Sequence, residues 1–406
     1  MKKLPFILIA LLSTTACVDF DDATKAVTVS IQLTMPQALQ SHQDEGLQGR
    51  QVVMSIGNAS LSALTDAQGV ATFEALTPDV YDISCSWQLT ADEYHRLSGD
   101  PQVVSGATVS GALNARLITN DETIALTTQL SVNRDILIGK VYYAGSKDLN
   151  NRTYMAGKYV ELYNQSDDST DVSGLYIALT EAESTQAYTL ENLHQAFADS
   201  VILLKQVFRI PAEQPCILKP GGTLLVVNSA TDHTPNNILE SDLTHADFEA
   251  KDTQGRTQNN PATPALQLVY TMYPSVSNMN LVQSGPCGVV IFRTDSDVST
   301  WGKTYAYGKS SGNQWILAPK RLIIDGIDIL RLTNKTPAVD VGTKRLYTDI
   351  DAGYTNINAI SGWNGEVVYR RTAGYSSQGH PILMDTNNSS NDLKVSNTIK
   401  PRQYDE

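Results

Sequence analysis

Four cysteines in 406 residues are too few for a disulfide scaffold, and no apolar run approaches the roughly 18 to 20 residues that a bilayer-crossing helix requires. Basic residues are also in deficit. The 30 Lys and Arg stand against 43 Asp and Glu, a formal net charge of −13, which repels a phosphate backbone and argues against nucleic acid as a partner. Aromatics make up only 7% of the chain, and among them 18 Tyr outnumber 7 Phe. What remains is 41% apolar and 18% charged, a balance that excludes disorder. At roughly 100 to 200 residues per domain, the length builds two or three separate cores.

The first residues read as an address. Lys2 and Lys3 precede an apolar run from Leu4 to Leu12, which gives way to Ser13, Thr14, Thr15, Ala16 and Cys17. A charged start, an apolar core about half a membrane span long and small residues before a cleavage point make an export signal, not a structural element. The segment resembles a bacterial lipoprotein signal: Thr15 and Ala16 fit the lipobox, with Thr14 where Leu is usual. The resemblance implies cleavage after residue 16 and a diacylglycerol and palmitate anchor on Cys17. Asp19, Asp21 and Asp22 follow directly, similar to the surface-export tether of Bacteroidota lipoproteins. Removing residues 1–16 takes two lysines and no acid, so 28 basic residues face 43 acidic ones and the net charge falls to −15. The expected location is the outer membrane, lipid-anchored and exposed at the cell surface.

Behind the tether (17–25) the pattern is that of an all-β fold, two β-sandwich domains at 26–133 and 134–406. Val27, Val29, Ile31, Leu33 and Met35 alternate with polar residues, and the same period of two returns at Tyr81, Ile83, Cys85, Trp87 and Leu89. Thr65-Asp66-Ala67-Gln68-Gly69, then Phe73, Leu76, Pro78 and Tyr81, resemble the signature of carboxypeptidase-regulatory-like and prealbumin-like sandwiches. This implies a spacer domain. Further on, Gly157-Lys158-Tyr159-Val160-Glu161-Leu162-Tyr163-Asn164-Gln165-Ser166, the Leu175 strand, and Leu218 to Val227 with Pro220-Gly221-Gly222 resemble the core of a lamin-tail domain, an immunoglobulin-like sandwich. Together these features look like an uncharacterised family of Bacteroidota surface lipoproteins. The core strands of the second domain are separated by long insertions, with a short helix expected within 182–198 and a polar, strand-poor stretch at 229–265.

Chemistry is sparse. Asp232, His233, Asp242, His245, Asp247 and Glu249 form the richest ligand cluster, from which a divalent metal would draw His233, His245 and Asp247. The 12-residue separation of the histidines matches no compact pair, and side chains capping their own loop backbone fit better. Asp385-x-Asn387-x-Ser389 begins like a calcium loop, but Ser390 stands where Gly is needed and Ser396 where the bidentate Glu belongs; calcium is open but unsupported. Gly302 to Ser310 has the wrong spacing for a phosphate loop. An oxidising envelope would permit one Cys216–Cys287 bridge, while Cys85, in an alternating strand, reads as core. Tyr142, Tyr143, Tyr154, Tyr159, Tyr163 and Tyr176 are either a binding face or half-buried sheet residues.

No catalytic motif and no cofactor signature appears, so no catalytic residue is assigned. The expected role is a non-catalytic binding or accessory module at the outer membrane, the extracellular partner of a nutrient transporter with a glycan or peptide ligand. The alternatives are an envelope or adhesion protein and a metal-dependent hydrolase built on the 229–265 loop.

Overall fold

The structure, a computed structural model, describes residues 25–36, 39, 46–56, 59–98, 106–180, 188–334 and 339–404. Cys17, Asp19, Asp21 and Asp22 lie outside them. The chain divides into two compact units, Met1–Trp87 with Val109–Leu130, and Gln88–Thr108 with Ser131–Glu406. Almost all regular structure is β, in packed sheets of sandwich type, with a few short helices.

The first elements are β1 (Val27–Thr34), β2 (Gln51–Ile56), β3 (Ala59–Leu64), β4 (Val70–Leu76), β5 (Asp79–Thr90), α1 (Ala91–Ser98), β6 (Gly106–Ile118), β7 (Glu122–Thr127) and β8 (Gln129–Asn133). They form a three-stranded sheet, β4-β1-β7, and a five-stranded sheet, β3-β2-β5-β6-β8. Period-two alternation puts Val27, Val29, Ile31 and Leu33 of β1 into the core, and Tyr81, Ile83 and Cys85 of β5 likewise. The turn before β4 is built by its own residues. Asp66 accepts the Gln68 and Val70 N–H groups at 2.9 Å each, and Gly69 takes φ +79°, where a Cβ would also meet Leu47 at 2.8 Å. Thr65, buried, accepts the Arg50 N–H and donates to the Leu47 carbonyl, and the Tyr81 hydroxyl reaches back to the Thr77 carbonyl at 2.8 Å. The Thr-Asp-x-x-Gly and Pro-x-x-Tyr residues thus determine the fold locally.

The second unit continues with β9 (Ile136–Tyr142), β10 (Ser146–Lys147), β11 (Thr153–Tyr154), β12 (Tyr159–Asn164), β13 (Thr170–Asp171), β14 (Tyr176–Thr180), α2 (Leu190–Phe197), β15 (Val201–Arg209), β16 (Ile217–Leu218), β17 (Thr223–Val227) and β18 (Phe248–Glu249). Then come β19 (Gln267–Thr271), β20 (Val289–Phe292), β21 (Lys303–Tyr305), β22 (Gln314–Pro319), β23 (Ile323–Ile327), β24 (Val367–Arg370), β25 (Thr372–Tyr375), β26 (Pro381–Leu383), α3 (Ser389–Asp392) and β27 (Leu393–Ser396). A six-stranded sheet, β18-β17-β12-β9-β24-β27, faces a seven-stranded one, β21-β22-β15-β14-β20-β23 with β19 beside β15. Ile138, Val160, Leu162 and Val226 of the first meet Ile177, Phe208, Ile291 and Ile327 of the second in one core. A second core, with Tyr176, Val207, Phe292, Trp315 and Leu193 of α2, covers the other face of the larger sheet. Burial on both faces explains why β15 and β20 read as continuous apolar runs.

Two polar residues interrupt β15, and their burial has a purpose. Lys205 donates to the Asn280 carbonyl at 2.8 Å, and the Gln206 amide donates to the carbonyls of Val276 and Asn278 at 3.1 Å while accepting the Asn280 N–H at 2.7 Å. Asn228 donates to the Met279 carbonyl and accepts its N–H, both at 2.9 Å, and Lys158 donates to the Leu281 carbonyl at 2.6 Å. Side chains here substitute for a strand partner, satisfying the backbone of the segment between β19 and β20 as it crosses the interior. Asn228→Ala should therefore cost about 2 to 3 kcal/mol, since two buried backbone groups of Met279 lose their partners; urea unfolding checks it.

Of the six tyrosines singled out, Tyr142, Tyr143, Tyr159, Tyr163 and Tyr176 are buried and Tyr154 is half-buried. The first five are core residues, so of the two readings the sheet one holds for them and not the binding face. Cys85, Cys216 and Cys287 are free thiols, so the expected Cys216–Cys287 bridge is not formed. Cys287 points its sulfur at the Val282 carbonyl, 3.8 Å away, and both cysteines pack as small apolar side chains on the inter-sheet core.

Candidate functional site

The 229–265 stretch is held by its own acids. Asp232 accepts the N–H and hydroxyl of Thr234 at 3.0 and 2.7 Å, and Asp242 accepts those of Thr244 at 2.9 and 2.7 Å; the two Asp-x-Thr turns join in a single β-bridge. Backbone hydrogen bonding holds the Asp242 carboxyl below its ordinary pKa. Glu249, buried, accepts the Ala230 N–H at 2.7 Å, and Asp252 accepts the N–H groups of Gln254 at 2.9 Å and Thr257 at 2.7 Å.

Two of the three expected metal ligands, His233 and Asp247, are committed elsewhere. His233 is buried, with Nε2 donating to the Ser229 carbonyl at 2.8 Å and Nδ1 accepting from the Tyr154 hydroxyl at 2.6 Å, so neither nitrogen is left for a cation. His245 is exposed. Asp247 caps the Leu225 N–H at 2.7 Å and pairs with Arg402 at 2.8 Å. Among the described residues no group of three His, Cys, Asp or Glu side chains is arranged to hold a metal ion, and Asp232 and Asp242 cap their own loop backbone, the reading that fitted the sequence better. Beside His233, Glu240 is buried: Oε1 accepts the hydroxyls of Tyr142 at 2.8 Å and Ser146 at 2.5 Å, and Oε2 lies against Gly157, where a Cβ would come within 2.2 Å. Burial, with Glu240 nearby, lifts the Tyr154 hydroxyl to about 12.

The calcium-like run turns out to surround an arginine. Arg370, fully buried, donates to Asp325 at 2.7 Å and lies 3.3 and 3.5 Å from Asp385 and Asp392. A guanidinium stands among the carboxylates a cation would use. Asp392 also accepts the Thr386 and Asn388 N–H groups at 2.9 and 3.1 Å.

A cleft opens where the turn after β12 meets the β25–β26 hairpin. Gln165, Asp167, Asp168, Tyr375, Ser377 and Ile382 line it. Its frame is rigid. Asn164 donates to the carbonyls of Asp168 and Leu218 at 2.8 and 3.0 Å, the Tyr163 hydroxyl to the Pro381 carbonyl at 2.7 Å, and Ser377 to Asp167 at 3.0 Å. His380 holds the hairpin from both ring nitrogens, Nε2 to the Gln165 carbonyl at 3.1 Å and Nδ1 to Ser376 Oγ at 2.9 Å, with Asp167 3.8 Å from Nε2. Ser, His and Asp therefore meet, but Ser376 Oγ also accepts the Gln378 N–H at 3.1 Å and is bound into its own turn. The arrangement fixes a loop tip. Tyr375 is 60% exposed, and the Gln165 Oε1 is buried at the atom level with no hydrogen-bond partner. None of these residues was singled out from sequence as a site, because Gln165 and Tyr375 lie in different strand connections whose proximity no spacing encodes.

The fold and this cleft define a protein of the all-β sandwich class with a polar surface cleft. The family described as "Protein of unknown function (DUF4876)" matches residues 219–399. Among solved structures, a DUF4876 family protein from Bacteroides thetaiotaomicron is similar over 91% of this chain and 94% of its own, at 18% identity and a TM-score of 0.55, a likeness of fold. A DUF3823 family protein from Parabacteroides merdae aligns with 47% of this chain and 95% of its own, at 11% identity and a TM-score of 0.15. No curated protein matches.

Proposed function

We propose that the chain is a non-catalytic binding module, anchored to the outer membrane through lipid on Cys17, exported with the help of Asp19, Asp21 and Asp22, and serving as the extracellular accessory of a nutrient transporter. In this reading residues 26–133 are a prealbumin-like spacer and residues 134–406 a lamin-tail-like sandwich that carries the ligand site. The observation that carries it is the hairpin cleft: an exposed tyrosine ring, with amide and hydroxyl groups on a rigid frame. An amphipathic ring with amide and hydroxyl groups suits a sugar, and Asp167 with Asp168 disfavours a polyanion, so the ligand class is a neutral glycan. Among the described residues no helix is long and apolar enough to cross a bilayer.

Two measurements test the reading. Protease treatment of intact cells should degrade the protein, and full protection would place it inside and end the transporter-partner role. On a neutral glycan array the purified chain should bind, and Tyr375→Ala should weaken that binding about tenfold or more at unchanged melting temperature. A chain that binds no glycan, and whose deletion alters adhesion and not uptake, is an envelope protein instead.

A further inference from the structure

A second cleft, of about 480 Å³, lies in the second unit at the ends of β13, β14, β20 and β23, bordering the first at Asp135 but standing on separate observations. Its volume is within the range of about 300 to 1,000 Å³ that small-molecule sites occupy. Leu175, Leu322 and Ile324 give it an apolar lining, and two guanidinium groups, Arg134 and Arg293, share it with the carboxylates of Asp135 and Asp171. The cleft thus sets apolar surface beside two charges of each sign.

One short turn sets both signs of charge. The Asp171 carboxylate accepts the N–H groups of Ser173 at 2.9 Å and Cys216 at 3.1 Å, which fixes its position and, chiefly through the Ser173 hydrogen bond, holds its pKa below the ordinary value. Arg293 donates to the Ser173 carbonyl at 3.0 Å and to the Asp171 carbonyl. A guanidinium has five N–H donors, so three remain beyond these two carbonyls, on a cation whose position its backbone partners already set. The pair cannot simply collapse on itself, because each partner is tied to backbone. What fits is a ligand with an anion, a cation and an aliphatic body between them.

We propose that this cleft binds a short peptide of two or three residues with aliphatic side chains, its terminal carboxylate on Arg293, its ammonium at Asp171, and its side chains on Leu175, Leu322 and Ile324. A fork of N–H groups matches a carboxylate in two parallel hydrogen bonds, the interaction by which chain ends are commonly captured. The proposal does not rest on the glycan reading of the hairpin cleft, and either stands if the other fails.

Calorimetric titration of the full chain with leucyl-leucine tests it. Saturable binding is expected, weakened about tenfold by Arg293→Ala and only partly restored in Arg293→Lys, which keeps the charge but loses the fork. Arg293 is exposed, so its substitution leaves the fold intact; Leu322→Trp, which fills the cleft and keeps its charges, should also abolish binding. N-acetyl-leucyl-leucine amide, with neither terminal charge, should not bind. The proposal is overturned if leucyl-leucine gives no saturable heat up to about 10 mM, if Arg293→Ala binds as the unaltered chain does, or if decanoate or the capped peptide binds as well as the free one, which would make the cleft merely apolar.

Discussion

Arg370→Met should destabilise the second unit by about 3 to 5 kcal/mol or more, because it strips the cation from a site where three carboxylates are buried. Arg370 is 2% exposed. Its Nη2 donates to Asp325 at 2.7 Å, Nη1 to the Met384 carbonyl at 2.8 Å and Nε to the Ile138 carbonyl at 3.0 Å, while the other Asp325 oxygen accepts the Ile138 N–H at 2.7 Å. The group thus joins β9, β23, β24 and the segment leading to α3 in one network. Burial opposes its charge, yet Asp325, Asp385 and Asp392 outweigh it and keep the guanidinium firmly protonated. Methionine matches the length and leaves those acids without compensation.

The same site gives a pH signature. Burial, only partly offset by Arg370, raises the Asp385 carboxyl from 3.8 to about 7, and burial raises Asp392 as well. A carboxyl whose pKa is higher in the folded than in the unfolded chain adds stability that is full below the unfolded value and lost as pH climbs through the folded one. Between pH 4 and 7 these two groups therefore favour the more acidic end. Without Arg370 their values rise further, so the penalty of Arg370→Met should be larger at pH 8 than at pH 5. Urea midpoints of both chains at the two pH values measure it. An equal penalty at both would show that the arginine does not hold these carboxylates charged, and Asp385→Asn should remove much of the difference.

What could be read in the sequence follows the physics of each signal. Period-two alternation is a local property, and Val27 to Leu33 and Tyr81 to Cys85 lie in β1 and β5 with the expected faces inward. Turn chemistry is also local, hence Gly69 and the Asp66 cap. Asp385 to Asp392 shows the limit. Their spacing departs from a calcium loop and left calcium open but unsupported, while their partner, Arg370, comes from a strand before them and no spacing announces it. Lys205 and Gln206 likewise stand within an apolar strand, and their partners in the segment at 276–280 are not encoded by any spacing. The candidate site was the least legible part. His233 and Asp247 attracted attention because of residue type, but their hydrogen-bond partners, Tyr154, Ser229, Leu225 and Arg402, consume the donors and acceptors that a ligand would need.

Glu161→Ala is expected to be comparably severe. Glu161 on β12 and Lys140 on β9 are both fully buried, 2.8 Å apart. Glu161 also accepts the Tyr404 hydroxyl at 2.8 Å and the Arg402 N–H at 2.6 Å, and the Lys140 ammonium lies 3.5 Å from the centre of the Tyr404 ring. One carboxylate thereby fastens the C-terminal segment to the six-stranded sheet, and Gly139 leaves the room, since a Cβ there would fall 1.9 Å from the Tyr404 oxygen. Removing Glu161 leaves a buried ammonium, for about 3 to 5 kcal/mol, and loosens the tail, which Arg402 still holds at Thr223 and Asp247. Loss of residues 400–404 to carboxypeptidase at a higher rate, together with a lower urea midpoint, would report both effects. Glu161→Gln separates them in part: its one carbonyl oxygen serves Tyr404 while its NH2 faces the Arg402 N–H, so the tail should loosen less than in Glu161→Ala while the stability loss persists. Burial already lowers the Lys140 pKa. A lysine depressed in the folded state adds stability as pH rises through its folded value toward its unfolded one, so the Glu161→Gln chain should recover toward alkaline pH. The double change Lys140→Met with Glu161→Leu removes the ion pair altogether. It should remain destabilised by about 1 to 3 kcal/mol, because Tyr404 and Arg402 still lose their acceptor, and full recovery would mean that the carboxylate's only role was to neutralise Lys140.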